Sequence, residues 1–284
     1  MGNGMRAILA VLWNDNEADP LLDLAVTVAS RFDAHLVGLY VRPAAENFIP
    51  SGDFGLALSQ DYLERLTHES ATKAARLRSR FESVVGREGG AGGGKISAEW
   101  LEAEGSAAVH IGSIGRVYDL ILVSRPDAKG SAESEILLEA ALFETGRPVL
   151  VAPPVLPASF GTKALVAWNG STESSLTLAL GLPLLQQAQE VHVLSVEGAI
   201  VPGPGAAEVA RYLGYHGIPA KARHIETPSP GTAAGEVFLA EAMRLGCDLM
   251  LKGAYTQSRL RQMIFGGATR HIINSATLPV LMAH

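Results

Sequence analysis

Short apolar runs rich in β-branched residues alternate along the chain with longer stretches that are apolar on one side only. Runs that are apolar at every position, such as 120–123, are typical of parallel strands covered on both faces. The pattern predicts ten strands, near residues 7–13, 35–41, 96–101, 119–124 and 148–152, and then 163–168, 190–196, 220–225, 248–252 and 279–283. Helical spacing separates them, which favours an α/β fold with right-handed crossovers.

Four sequence features occur twice, in the same order, which indicates a duplication. They are ILAVLWN and ALVAWN at 8–14 and 164–169, GSAA and GTAA at 105–108 and 231–234, DLILV and DLMLK at 119–123 and 248–252, and RPVLVAP and LPVLMAH at 147–153 and 278–284. We therefore expect two tandem five-stranded sandwiches, with domains at 1–155 and 160–284. The first half is longer, mainly through a region between Pro43 and Lys95.

Composition narrows the class of protein. The 284 residues are 48% hydrophobic and carry a formal net charge of −6, with no dense block of basic residues. This argues against a nucleic-acid partner. No apolar run reaches about 18 residues, so no membrane-spanning helix is expected. Cys247, the single cysteine, lies in a strand-like run and indicates a buried thiol in a reducing cytoplasm.

The strongest local candidate for a binding site follows the predicted strand at 248–252. Glycines at 253, 266 and 267 bracket a segment that contains Arg259 and Arg261, and a helical pattern follows. Glycines expose consecutive backbone N–H groups, and a helix start favours an anion. A phosphate-binding loop and an ordinary glycine-containing turn both fit this pattern, and the residues alone leave the two open.

Two segments resemble the universal stress protein family, namely VAWNGS at 166–171 and GAYTQSRLRQMIFGGATRHIINSATLPVLMAH at 253–284. The resemblance covers nearly the whole chain, in tandem, and implies an adenine-nucleotide alpha-hydrolase-like fold. Nucleotide-binding members carry Gly, two residues, Gly, nine residues, Gly and then Ser or Thr. It implies ATP or AMP as ligand, with Mg²⁺ if the ligand is ATP.

The implied nucleotide-binding residues, all in the second half, are Asn169, Val196, Gly253, Thr256, Gly266, Gly267, Ala268 and Thr269. Val196 ends the strand whose backbone would meet adenine, and Ala268 and Thr269 begin the helix. Three positions depart from the family. Thr256 replaces a glycine, Gly267 replaces Ser or Thr, and Asn169 replaces an aspartate and so loses its charge.

The first half departs further from the family. Ser124 stands at the first glycine position, followed by Arg125-Pro126-Asp127, although Asn14-Asp15 offers an acidic side chain after the first strand. We expect this half to be degenerate, serving as a structural partner or holding another small molecule. Trp13 and Trp168 are expected to pack in the core, with stacking on a base as the alternative.

Three functional hypotheses follow. The first is a non-enzymatic stress-response factor that binds ATP or AMP in its second domain. The second is a nucleotide-free interaction scaffold, in which the strands at 148–152 and 279–283 pair the two domains within one chain and whole chains form a homodimer. The third is a weak ATPase or other nucleotide-dependent enzyme, for which the sequence offers no catalytic residues and no metal site.

Overall fold

The computed structural model describes residues 4–44, 60–88, 96–126, 132–226, 233–254 and 267–284. Its strands are β1 (Ala7–Leu12), β2 (His35–Arg42), β3 (Ala98–Glu104), β4 (Leu120–Ser124), β5 (Val149–Ala152), β6 (Lys163–Ala167), β7 (Glu190–Val196), β8 (Ala220–Ile225), β9 (Leu249–Lys252) and β10 (Val280–Met282). Each of the ten predicted strands is therefore confirmed, five in each repeat, and the fold is α/β with a mostly parallel arrangement of strands.

The helices are α1 (Asp15–Phe32), α2 (Gln60–Glu88), α3 (Ala107–Ile114), α4 (Ala132–Glu144), α5 (Thr172–Leu185), α6 (Ala206–Tyr215), α7 (Ala234–Leu245) and α8 (Gly267–Ser275), with a 3₁₀ turn at Gly115–Val117. The region that lengthens the first repeat contributes the long helix α2. Its counterpart in the second repeat, α6, has 10 residues against the 29 of α2.

The chain forms two compact units. The first unit contains Met5–Ser124 with Ala132–Thr145, and its strands are ordered β3-β2-β1-β4, all parallel. Residues of β1, β2 and β4 are almost entirely buried, because helices cover both faces of a parallel sheet. Because β1 and β2 are parallel, their carboxyl ends lie at one edge of the sheet. Helix α1 begins at this edge, and α2 packs against α1.

The second unit contains the described part of Gly146–His284, with Gly4, Arg125 and Pro126. Its strands are ordered β5-β10-β9-β6-β7-β8. All of these pairs are parallel except β5 with β10, where Val151 faces Val280 and Val149 faces Met282. The fifth strand of the first repeat thus completes the sheet of the second, and the pairing expected between these two strands is present. Within the described residues the compact units therefore have four and six strands rather than the expected five and five, because β5 groups with the second unit.

Helix ends in both units follow their local sequence. The side chain of Asn14 accepts a hydrogen bond from the Glu17 N–H at 3.0 Å and caps the start of α1, and Ser171 caps α5 in the same way through Ser174. Helix α7 ends at Gly246, whose φ of +66° allows its N–H to reach two carbonyls of the last turn. No helix in the described part of the chain is long and apolar enough to cross a membrane.

Candidate functional site

The turn after β6 places Asn169 at the carboxyl edge of the second unit. Asn169 is 7% exposed, and its side-chain oxygen accepts a hydrogen bond from the Ser171 N–H at 3.3 Å. Its backbone carbonyl accepts from the Val201 N–H at 2.9 Å. Gly170 between them has φ of +83°, a conformation that glycine adopts without strain. Both oxygens of Asn169 are thus engaged within the protein.

The segment after β7 lies over this turn. The indole N–H of Trp168 donates to the Pro204 carbonyl at 2.7 Å, and the ring is 3% exposed. A Cβ added at Gly203 would lie 2.9 Å from the Gly170 carbonyl oxygen, so the two backbones touch. Trp168 is therefore a packing residue, which is the first of the two interpretations of its sequence position.

Gly253 follows β9 and packs directly against the start of α5. A Cβ at this position would lie 2.5 Å from the Ser174 nitrogen, closer than non-bonded atoms approach. The same nitrogen donates to the Ser171 hydroxyl at 3.2 Å, so this helix start cannot shift without losing its cap. The close contact with α5 is one structural reason for glycine at position 253.

Lys252, the residue before Gly253, is a buried cation. Its side chain is 4% exposed, and its Nζ donates to the Gly253 carbonyl at 2.8 Å. No carboxylate lies within 4 Å of that Nζ in the described part of the chain. Burial lowers the pKa of Lys252 to about 8, against the smaller opposing effect of the Glu173 carboxylate.

Glu173 carries the complementary charge in the first turn of α5. Its Oε1 accepts from the Thr172 hydroxyl at 3.1 Å, whereas its Oε2 is buried and has no hydrogen-bond partner among the described residues. The helix N-terminus offsets part of this negative charge. A buried ammonium and a buried carboxylate oxygen thus lie at one edge of the sheet without contacting each other.

The structure brings several of the expected residues to this edge. Ala167 pairs with both Leu194 and Lys252, so Asn169, Val196 and Gly253 each lie one or two residues beyond one paired row. Val196 is fully buried, and its register partner is Ile225 of β8.

The rest of the expected loop is described only at its end. Gly267 begins α8, Ala268 contacts Gly235 of α7, and Thr269 is 5% exposed. Thr256 and Gly266 lie outside the described residues. The assignment of these residues to nucleotide binding stays a prediction.

The corresponding edge of the first unit is filled by side chains of α2. Arg76 donates to the Asp15 carboxylate through Nη2 at 2.9 Å and Nε at 3.2 Å, and Arg80 donates to the Asp15 backbone carbonyl. Asn14 is used as the cap of α1. The acidic side chain that the sequence offers after β1 is therefore held by an arginine of the same unit.

Lys73 lies on the same helix, above two aromatic rings. Its Nζ is 4.9 Å from the centroid of Trp13 and 5.9 Å from that of Tyr40. Both distances lie within the range of cation–π attraction. Burial lowers the pKa of Lys73, with Asp15 opposing and Arg76 reinforcing that effect.

Sequence reasoning missed Lys252, Glu173, Lys73 and Arg76. The apolar pattern places Lys252 at the end of a strand, although a lysine where the repeated sequence has valine is itself a signal. Lys73, Arg76 and Arg80 follow the i, i+3, i+7 spacing of one helix face, which was available in the sequence. Their partners could not be inferred, because no local pattern shows that α2 packs against Asp15 and Asp19 of α1 and against Trp13 after β1.

Two further observations concern metal-binding groups and the single cysteine. In the described residues, no three His, Cys, Asp or Glu side chains lie close enough together to bind a metal ion. Burial raises the pKa of the half-buried Cys247 thiol to about 11, with Asp248 adding to the effect. Such a thiol stays protonated at neutral pH and is a poor nucleophile.

Comparison with known proteins finds relatives and solved structures that match almost the whole chain. No protein-family model matches the chain. A universal stress protein of Synechocystis sp. is 23% identical over an alignment that covers 98% of this chain and 99% of the relative. The crystal structure of a universal stress protein from Archaeoglobus fulgidus has a TM-score of 0.72 at 18% identity, and the match covers 98% of this chain and 97% of that one.

A protein of unknown function from Pseudomonas aeruginosa has a TM-score of 0.57 at 17% identity, with 98% of this chain and 92% of that chain covered. These matches extend over both repeats rather than one. The resemblance predicted from the sequence is confirmed: the chain has the fold of a tandem universal stress protein.

Proposed function

We propose that this chain acts in the cytoplasm as a non-enzymatic universal stress protein whose second unit binds an adenine nucleotide, ATP or AMP. The observation that carries the proposal is the buried Lys252 ammonium beside Gly253. A buried charge with no counter-charge in contact is costly, and a bound anion removes most of that cost. The phosphates of a nucleotide supply such an anion at the position that the family resemblance implies.

The neighbouring groups fit this ligand in part. The start of α8 offers backbone N–H groups that favour an anion, and Gly253 begins the segment that the family resemblance assigns to the phosphates. If the ligand is ATP, the buried and unpartnered Oε2 of Glu173 fits a Mg²⁺ ion, because magnesium prefers carboxylate oxygen. Magnesium would neutralise part of the phosphate charge, and Glu173 would hold it there.

The test begins with the purified full chain. Nucleotides released on denaturation are identified by mass spectrometry, and the emptied protein is titrated by calorimetry with ATP, AMP and adenosine. We expect ATP or AMP to bind, and Lys252→Met to weaken that binding at least about tenfold while adenosine binding changes little. Lys163→Met is the matched control, because Lys163 lies at the opposite, amino-terminal edge of the same sheet.

Absence of nucleotide binding at millimolar concentration in the wild-type chain would contradict the proposal. Equal ATP affinity of the wild type and of Lys252→Met would show that the nucleotide binds without a contribution from Lys252. Thermal unfolding of each variant without ligand shows whether the fold is intact, so a lost affinity is not mistaken for a lost structure.

A nucleotide-free interaction scaffold is the second candidate, and the state of Asn169 favours it. Both oxygens of Asn169 accept hydrogen bonds from the protein, and the segment after β7 covers the turn that would receive a nucleoside. An empty wild-type chain that also fails titration is the result expected from a scaffold. Sedimentation equilibrium then tests the expected homodimer, which a single monomeric species would contradict.

A further inference from the structure

Arg125 occupies a position at which the second repeat has alanine. The backbone N–H of Arg125, which follows β4, donates to the Ala152 carbonyl of β5 at 2.8 Å. The N–H of Ala254, which follows β9, donates in the same way to the Ala283 carbonyl after β10 at 3.0 Å. The fold therefore accommodates a fully buried alanine at this position, and the guanidinium group of Arg125 needs a separate explanation.

The side chain of Arg125 reaches the carboxyl end of α8. Its Nη1 donates to the Ala276 carbonyl at 2.7 Å, across 151 positions of the sequence. Ala276 directly follows the last residue of α8, and its own N–H donates to the Ile272 carbonyl at 2.8 Å, so it continues the helical hydrogen bonding. The last turn of α8 has no basic residue, so Arg125 supplies the positive charge that favours this end of a helix.

Arg125 is poorly explained as a contact that only stabilises the fold. The residue is half-buried, and its Nε is buried without a hydrogen-bond partner among the described residues. It borders an apolar groove that is lined by Val151 and Val280 of the sheet and by Ile272 and Ile273 of α8. Burying an unpaired donor beside apolar side chains costs free energy that one hydrogen bond recovers only in part. Such costs are typical of residues that serve a function.

The amino end of α8 is the end that the proposed function uses. Gly267 and Ala268 begin the helix, at the position that the family resemblance implies for the phosphates. The helix has 9 residues, and a helix of this length spans only about 14 Å. So short a helix moves as one body, and fixing its carboxyl end therefore limits where its amino end can lie.

We propose, on the basis of the proposed function, that Arg125 is a positioning residue for nucleotide binding. It ties α8 to the end of β5, so that the backbone N–H groups at the start of α8 stay where the phosphates bind. The first repeat, whose own loop departs from the nucleotide-binding pattern at Ser124, thus supplies a residue that supports the site of the second repeat.

The experiment compares Arg125→Met and Arg125→Lys with the wild type in the full chain. By calorimetry, Arg125→Met is expected to bind ATP about fivefold more weakly than the wild type, while its affinity for adenosine, which has no phosphate, stays within about twofold. Arg125→Lys keeps a cation and a donor for the Ala276 carbonyl and is expected to retain most of the ATP affinity. Hydrogen exchange of the α8 amides without ligand is expected to be faster in Arg125→Met than in the other two proteins.

Arg116→Met is the matched control. Arg116 is also an arginine at the carboxyl end of a helix, since its Nε donates to the Glu144 carbonyl at the end of α4 at 3.2 Å. Helix α4 belongs to the first unit, so this substitution is expected to leave both affinities and the hydrogen exchange of α8 unchanged.

Equal ATP affinity of the wild type and of Arg125→Met would overturn the positioning role and leave the proposed nucleotide binding intact. Absence of ATP binding by the wild type would overturn both. A parallel loss of ATP and adenosine affinity would overturn the positioning role, because it indicates a general loss of structure. If circular dichroism shows that Arg125→Met does not fold, Arg125→Gln, which also removes the charge, replaces it in the same comparison of the two affinities.

Discussion

The same dipeptide, Trp-Asn, follows the first strand of each repeat, and the two units use it differently. In the first unit Asn14 caps α1 directly, and the Trp13 ring supports a lysine of α2. In the second unit Asn169 precedes the cap by two residues, and Trp168 is buried under the segment after β7. The difference shows that duplicated sequence conserves the fold while neighbouring helices decide what the edge of the sheet can bind.

The largest difference in stability between the units is expected at Ser124, the last residue of β4, and at Gly253, the residue after β9. Gly253→Ser places side-chain atoms against the α5 backbone and is expected to destabilise the protein by about 3 kcal/mol. Ser124→Gly, the reciprocal change in the first unit, is expected to cost only about 1 kcal/mol. Urea denaturation measures both values, and equal losses would show that the two positions are equivalent.

The next-largest effect is the pH dependence of stability that the buried Lys252 causes. Its pKa is about 8 in the folded chain, below the value of 10.5 for an ordinary lysine. Between these values the unfolded chain binds more protons, so stability rises with pH, by up to about 3 kcal/mol. Urea denaturation between pH 7.5 and 9.5 is expected to show this rise in the wild type and in Lys163→Met. The same rise in Lys252→Met would contradict the assignment.

The two tryptophans offer a smaller test. Trp168→Phe removes the hydrogen bond to the Pro204 carbonyl and leaves a cavity where the larger buried ring packed, and it is expected to destabilise the protein by about 2 kcal/mol. Trp13→Phe keeps a ring beneath Lys73 and is expected to cost about 0.5 kcal/mol. Thermal unfolding of both variants measures the difference, and a larger loss for Trp13→Phe would reverse the comparison.

The smallest effect concerns the arginines of α2. Arg76→Ala removes the partner of a partly buried Asp15 and is expected to cost about 1 kcal/mol, reduced by the solvent exposure of Arg76. Arg78 is the matched control, since it pairs with Glu82 on the exposed side of the same helix. Arg78→Ala is expected to leave the melting temperature unchanged, and equal effects of the two substitutions would remove the special role of Arg76.

Most of the strands were predictable because each carries its own evidence in a short run of apolar residues. The exceptions are β3 and β8, which are partly exposed and contain several charged residues. The runs around Leu122 and Leu251, for example, are buried on both faces, and no distant residue is needed to recognise them. Asn169 and Gly253 could be placed at the binding edge for the same reason, since they directly follow such strands.

The hydrogen-bond and ion-pair partners of the residues at the carboxyl edges of the two sheets could not be predicted from such local runs. The partner of Asp15 lies 61 positions away in Arg76, and the carbonyl that accepts from Trp168 lies 36 positions away. Contacts of this kind depend on how loops and helices return to the sheet. Spacing within one element shows which lysines and arginines share a face but not which strand end they reach.

The antiparallel pairing of β5 with β10 has a consequence for how this chain can be divided and how it is made. A fragment starting at residue 160 would lack β5 and leave one side of Val280–Met282 as a bare apolar edge, which invites aggregation. A fragment starting at Gly146 keeps that edge covered. During synthesis, β5 emerges about 130 residues before its partner, so the second sheet closes late and through a contact of high sequence separation.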